Sequence, residues 1–550
     1  TALLAACALV GAVQRIAILR LDPREMLARY GSDDMFYYTE VARHFALGRA
    51  LSFDGVHPTS GVQPLWLALL VPWARLFEGW PALALRVDLA LVTVVTLVSG
   101  WLMPRLVRTV MALRPLDAAV TDGQVGALGT LAGCIWLVHP RVLSVTFEGT
   151  EGALAALCWQ VSIMAWAAER SASRSFRLGV ALGMGTLARI DHLALLGAFL
   201  VWPRGQRRSL RRAVFLILPV AALWGSWLMF CRLTTGSFLQ DSGMAKRVAH
   251  ERYDTLDLPA ALGNWTTFSR PLQFLAKGIW TVVQVLFHAG SHTSRFSFVA
   301  MLVMALSLAI ATGSATKRRI GTGALTSPFR EAIMETVPTT VATCRAFGPV
   351  FVTAASVLLA YVVVLQHLRT WYAMPALLSS TLIASALCLD TTRNARGTLD
   401  ISERPRLLVL TCALWLAGAW TEQIATRTRS WLPSYYATAR VLVAVTPATA
   451  RIGAFNAGIV GAFASEGSRR VINLDGVVNH SALRAIELRT LTDYIYGEQI
   501  EFIADYPRAI SVEEKIAAPG LQANLELVET VALEDRPGET LGIWRVRTRR

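Results

Sequence analysis

Gly31-Ser32-Asp33-Asp34-Met35-Phe36-Tyr37-Tyr38 stands between an apolar run over residues 2–20 and a second over 81–103. Carboxylates beside a membrane span are costly unless they face water, a cation or a reacting group. An acid pair just past a first span therefore points to a reaction at the membrane surface. The plainer reading is a solvated loop whose acids start a helix, where negative charge complements the helix dipole. Phe36, Tyr37, Val41 and Phe45 recur at three-to-four spacing, which predicts an amphipathic interfacial helix with the acids at its N-terminus. One of the two acids suffices for the helix start. The other is then free to act as a base or metal ligand.

Working outward, the 550-residue chain is 54% hydrophobic and only 17% charged. Runs of membrane-spanning length fall at 2–20, 81–103, 124–140, 151–169, 213–231, 296–314, 346–366, 371–389 and 407–425. Residues 176–203 form a longer run broken by Arg189-Ile190-Asp191-His192, which predicts two half-helices meeting at a polar break. The stretch 63–78 is apolar but short and reads as a juxtamembrane or re-entrant helix; 275–290 is ambiguous. Residues 2–20 carry Gln14 and Arg15 and no small-residue cleavage site, so they read as a retained helix rather than a signal peptide. The expectation is a mainly α polytopic membrane protein of about eleven transmembrane helices. Its membrane module spans 1–425, with a first outer loop over 21–80, and a soluble α/β domain follows over 426–550. Short apolar runs ending in turn residues, such as Arg451–Gly458, Val471–Gly476 and Ile500–Asp505, carry the α/β reading. The glycines near 453–461 make no GxGxxG after a strand, which argues against a nucleotide site.

The net charge is +15, yet residues 426–550 hold 15 Lys and Arg against 14 Asp and Glu. The excess lies between spans, in clusters such as Arg105, Arg108 and Arg114, or Arg204, Arg207, Arg208, Arg211 and Arg212. The positive-inside rule makes those loops cytoplasmic. The loop 21–62, the turn at Glu148 and Glu151, the loop 232–274 and the tail then face outward from a plasma (inner) membrane. Charge divided among short loops also excludes nucleic acid as a partner. Seven cysteines include no CxxC and none after Cys412, so the tail has neither a disulfide framework nor a thiolate zinc site. The outer-side histidines His44, His57, His192 and His367 show no HExxH spacing.

Asp33-Asp34, Ala42-Arg43-His44 through Gly48, Ser52-Phe53-Asp54-Gly55 and Pro64-Leu65-Trp66 follow one another in the first outer loop. Glu148-Gly149-Thr150-Glu151-Gly152-Ala153-Leu154, Ala188-Arg189-Ile190-Asp191, Phe238 to Lys246 and His367-Leu368-Arg369-Thr370-Trp371-Tyr372 come next, in that order. In this layout the chain resembles the GT-C superfamily of integral-membrane glycosyltransferases, over about residues 1–375. The closest branch in layout is that of the actinobacterial cell-wall arabinofuranosyltransferases. The resemblance implies an inverting transfer of a sugar, arabinofuranose or mannose, from a polyprenyl-phosphate donor to an exported glycan or glycolipid, amid membrane lipids. It implies Asp33 or Asp34 as general base, with Asp33 favoured, and Arg189, Lys246 and Arg369 as donor-phosphate ligands. Glu151, Asp191, His44 and His57 are acceptor or supporting residues. Some relatives use a divalent cation, so Mg²⁺ or Mn²⁺ at Asp33 and Asp34 is an open alternative to metal-free catalysis.

Plainer readings accompany these roles. Arg189 could pair with Asp191, since intramembrane charges tend to pair; Arg369 could be a snorkelling anchor; Glu151 could be a helix-start acid. Two other classes of function compete. A lipid-linked sugar transporter or flippase would place its acids near mid-membrane. A noncatalytic scaffold binding cell-wall glycan would not need Asp33 and Asp34.

Overall fold

The computed structural model describes residues 2–112, 122–169, 171–201, 210–253, 431–465, 468–533 and 538–548. The runs expected at 296–314, 346–366, 371–389 and 407–425, the 275–290 stretch and Arg369 lie outside the described residues. Three described helices are long and apolar enough to cross a membrane: α1 (Ala2–Leu19), α5 (Pro81–Met111) and α11 (Leu210–Thr235). Between α1 and α5 run α2 (Pro23–Arg29), α3 (Asp33–Ala46) and α4 (Pro64–Leu76). With 13 residues, α4 reaches about 20 Å, short of the roughly 30 Å hydrocarbon core. Five further helices precede α11: α6 (Asp122–Val138), α7 (Pro140–Thr146), α8 (Gly152–Ala167), α9 (Ala172–Ala188) and α10 (His192–Val201). The break between α9 and α10 falls at Arg189-Ile190-Asp191, where the charges interrupt the apolar run. Helix α12 (Asp241–Tyr253) follows α11.

Glycines four apart set the helix contacts. Gly129 and Gly133 of α6 face α5, and a Cβ at Gly129 would lie 2.7 Å from the Pro104 Cα. Gly179 and Gly183 of α9 face α11, and a Cβ at Gly179 would lie 2.7 Å from the carbonyl oxygens of Phe215 and Leu216. In lipid, helix association rests on such close packing because there is no hydrophobic gain from meeting.

After α13 (Leu432–Val445) the chain forms β1 (Arg451–Ala454), α14 (Ala457–Ala464), β2 (Arg470–Asn473), α15 (His480–Leu488), α16 (Leu491–Gly497), β3 (Phe502–Asp505), α17 (Pro507–Ile516), β4 (Leu525–Ala532) and β5 (Thr540–Val546). The five strands make one sheet in the order β2-β1-β3-β5-β4. The first three are parallel, with Ile452 opposite both Val471 and Phe502. Strand β5 runs antiparallel to β3 and β4, with Ile503 opposite Trp544. All four residues of β3 are buried, as expected of a covered parallel strand. The edge strand β4 is largely exposed and carries Glu526 and Glu529, charges that discourage edge pairing.

One apolar core runs from Met26, Leu27, Phe36 and Trp66 of the first loop into Tyr435, Ile452, Ile459 and Phe463 of the C-terminal region. The rings of Phe36 and Phe463 meet edge to face at 5.6 Å. This packing changes the reading of α3. Its spacing suits an interfacial helix with one wet face, yet ten of its fourteen residues are buried. Phe36 and Tyr37 of the apolar stripe meet α14 and the turn after β2 instead, and Asp33 beside them is buried against α14 as well.

Candidate functional site

Ser32 caps α3: its hydroxyl accepts from the Met35 amide at 3.2 Å and donates to the Glu148 carbonyl at 2.7 Å. The acids of the pair are therefore not needed as caps of their own helix. Asp33 caps another one. Its Oδ2 accepts from the Gly458 amide at 3.0 Å and its Oδ1 from the Ile459 amide at 2.8 Å, at the N-terminus of α14. A helix start following the first strand of a parallel sheet is a natural anion site. Here a carboxylate from 425 residues earlier fills it. Burial pushes Asp33 up to about 7, while the two amides pull it back. The fit needs glycine at 458, because a Cβ there would strike the Asp33 carbonyl oxygen and carboxylate. Asp505, at the end of β3, sets the β1–α14 turn: its Oδ2 accepts from the Phe455 and Asn456 amides, both at 3.0 Å.

Asp34 is only half-buried and has no hydrogen-bond partner among the described residues. Tyr37, one turn along α3, lies on the same face as both acids. Its hydroxyl donates to Asp475 Oδ2 at 3.2 Å, in the turn after β2. The Val477 amide holds Asp475 Oδ1 at 2.8 Å and the Asn473 side chain also bonds it, leaving the half-buried carboxylate with one unused lone pair. Burial pushes Asp475 up to about 7, with the charges of Asp34 and Asp33 adding to the rise. Sequence reading missed Asp475. Its signal was available: an acid beyond the C-terminal end of a parallel strand, where open α/β sheets place their ligands.

A second group brings three expected residues together. Arg189 donates from Nη1 to Glu151 Oε1 at 2.7 Å and from Nε to Asp191 Oδ2 at 2.9 Å. The Tyr38 hydroxyl donates to Glu151 Oε2 at 2.8 Å. All four are buried. Glu151 occupies the N-cap position of α8 but makes no capping bond, since its carboxylate serves Arg189 and Tyr38. The plainer reading of Arg189 thus holds in part: it pairs with Asp191, and with Glu151 as well. Thr39 also donates to Asp88 Oδ2 at 2.6 Å, a buried acid within α5 that the sequence reading passed over.

The remaining candidates lie elsewhere. His44 is buried, and its Nε2 lies 3.2 Å from Arg43; burial and that guanidinium hold it below its usual value. Lys246 is half-buried on α12, which packs on α15 and α17. Asp241 at the start of that helix binds His480 at 2.8 Å and the Ser60 amide at 2.8 Å. His57 bridges the loop and the C-terminal region, with Nδ1 2.6 Å from Asp54 and Nε2 3.1 Å from Glu498. Burial pulls His57 down, but those two carboxylates outweigh it and hold it above its usual 6.5.

A histidine raised on folding stabilises fully below its unfolded pKa, and that stability is lost as pH rises through the folded value. Asp54 is raised by burial but lowered further by His57, so its share is lost only as pH falls through that depressed value. The bridge is therefore strongest between the ordinary carboxylate range and the ordinary histidine value of 6.5. Thermal unfolding in detergent is expected to show stability falling between about pH 4 and 7 through Asp33 and Asp475, with His57 extending the fall above about pH 6.5. His57→Gln should remove that part of the slope while leaving the part due to Asp33 and Asp475. An unchanged slope in the variant would refute the bridge.

Each Asp33 oxygen accepts one backbone amide, and among the described residues no group of three or more His, Cys, Asp or Glu is placed to hold a metal ion.

The described helices and the C-terminal region packed on them share a fold with solved integral-membrane structures, and three of the described helices are long and apolar enough to cross a membrane. The likeness runs end to end with ArnT from Cupriavidus metallidurans bound to undecaprenyl phosphate, at 12% identity and a TM-score of 0.52, covering 98% of this chain and 97% of that one. The apo state of the same protein gives 11% identity, a TM-score of 0.52 and the same coverage. The Archaeoglobus fulgidus oligosaccharyltransferase tethered with an acceptor peptide gives 11% identity and a TM-score of 0.48, over 100% of this chain and 74% of that one. Arabinofuranosyltransferase AftD from Mycobacteria gives 13% identity and a TM-score of 0.41, over 99% of this chain and 40% of that one. No family model and no curated protein matches the sequence.

Proposed function

We propose that this chain is an inverting glycosyltransferase that moves a sugar from a polyprenyl-phosphate donor to a hydroxyl of an exported glycan or glycolipid. The observation that carries the reading is Asp34: an open carboxylate in the first loop of a GT-C fold, beside a partner acid that is already engaged. The undecaprenyl phosphate bound to ArnT supports the donor class. Asp34 takes the acceptor hydroxyl proton as the acceptor oxygen bonds to the anomeric carbon. The bond from that carbon to the phosphate oxygen breaks, and the lipid phosphate leaves as an anion without needing an acid. Lys246 and Arg369 are proposed to meet that charge. Arg189 is already balanced by two acids, so its role is to hold Glu151 and Asp191. Arabinofuranose or mannose is the proposed sugar.

The test uses purified protein with short-chain polyprenyl-phosphate arabinose or mannose labelled in the sugar. Label should move to a glycan acceptor with inverted anomeric configuration, releasing polyprenyl phosphate. Label that crosses a vesicle membrane still attached to lipid would favour the flippase instead.

The orientation is part of the proposal. Ser468 is exposed in the turn before β2. Ser468→Cys should react with an impermeant thiol reagent in whole cells, and labelling only after membrane rupture would invert the topology.

A further inference from the structure

We infer that Asp33 is a positioning residue rather than the base: by anchoring α14 it sets Asp475 of the C-terminal domain against Asp34 across the Tyr37 hydroxyl, and Asp475 holds the acceptor. This rests on the proposed glycosyl transfer.

Three features converge on it. Both Asp33 oxygens accept from backbone amides that cannot move without moving α14. The contact is close on both sides, since Gly458 leaves no room for a methyl group and Gly461, one turn on, lies against the Phe53 ring. Tyr37 then ties the same helix to the C-terminal domain by its bond to Asp475 at 3.2 Å, with the Asn473 amide 3.5 Å from the same hydroxyl. Asp33, Asp34 and Tyr37 share one face of α3, so a shift of α14 changes where Asp475 stands relative to Asp34. After binding Tyr37, Val477 and the Asn473 side chain, Asp475 still has one lone pair free, and a carboxylate so placed accepts from a sugar hydroxyl. A hydroxyl-rich, uncharged acceptor suits binding between Asp34 and Asp475. An acceptor carrying a phosphate next to its reacting hydroxyl would be repelled.

The test is steady-state transfer by the full chain with varied acceptor, pH and variant. Asp33→Asn and Asp475→Asn should each raise the acceptor KM roughly tenfold, the scale of a lost hydrogen bond to a charged group. Donor binding should be unchanged. Asp33→Asn should keep the acid limb of the pH–rate profile, because the base remains. The double variant should be little worse than either single one, since both act through one contact. Gly458→Ala leaves every acid in place and should reproduce Asp33→Asn, which guards against a folding defect peculiar to one variant. Loss of the acid limb in Asp33→Asn, a normal acceptor KM in Asp475→Asn, or strict additivity would each overturn the inference. None of these bears on whether sugar is transferred. If Asp34→Asn keeps full turnover, the proposed base falls instead, so the two failures are distinct.

Discussion

Replacing Asp34 by Asn is expected to lower sugar transfer by about 10²–10⁴-fold, the usual loss when a general base is removed. The substitution keeps the shape of the side chain and removes no hydrogen bond among the described residues, so folding and donor binding should hold. The fall should appear in kcat, because the interaction lost forms only as the acceptor proton moves. Asp33→Asn has a different signature. Its amide group would turn donor hydrogens toward the Gly458 or Ile459 amide, placing donor against donor in a buried contact. That conflict destabilises by roughly 1–3 kcal/mol. Measuring kcat and thermal unfolding on both variants separates the two acids. If Asp34→Asn transfers sugar at the rate of the unmodified protein, the loop acid is not the base and the proposed mechanism is wrong.

The two acids differ only through residues far along the chain, and this explains what the sequence could reveal. The pair itself was legible, because acids beside an apolar run are uncommon. Its division of labour was not, because the partner that engages Asp33 lies 425 and 426 residues later. The break at Arg189-Ile190-Asp191 was legible for the same reason as the acid pair: charges interrupt an otherwise continuous apolar stretch. Its second partner, Glu151, looked like a helix-start acid, since α8 begins right after it. Only packing shows that the carboxylate turns away from its own helix. The apolar stripe of α3 was visible at helical spacing, but what covers it was not, since Phe36 packs on Phe463 rather than on lipid. Periodicity reports which residues avoid water, and it does not report whether lipid or protein takes the place of water. Asp475 fails for a related reason. It reads as an ordinary turn acid until the sheet order puts β2 beside β1 and turns its C-terminal end toward α3.

Arg189→Met is expected to destabilise the protein by about 3–5 kcal/mol, the scale of leaving buried charge without its partner. Arg189, Glu151 and Asp191 have side chains only 4%, 7% and 4% exposed, so water cannot take the place of the guanidinium. Tyr38 can stabilise one oxygen of Glu151, but its hydroxyl has no second proton for Asp191. Arg189→Lys should recover part of the loss. A lysine carries the charge but is a point donor, whereas the two carboxylates are held by separate nitrogens of one planar group. The pairing also predicts a non-additive double variant. Arg189→Met combined with Glu151→Gln removes a cation and an anion together, so it should be more stable than Arg189→Met alone. Thermal unfolding in one detergent would measure all three. A donor-phosphate role predicts the opposite pattern for Arg189→Met, with stability unchanged and affinity for a short-chain polyprenyl phosphate reduced. Full stability in that variant would remove the buried pair as the reason this arginine interrupts the apolar run.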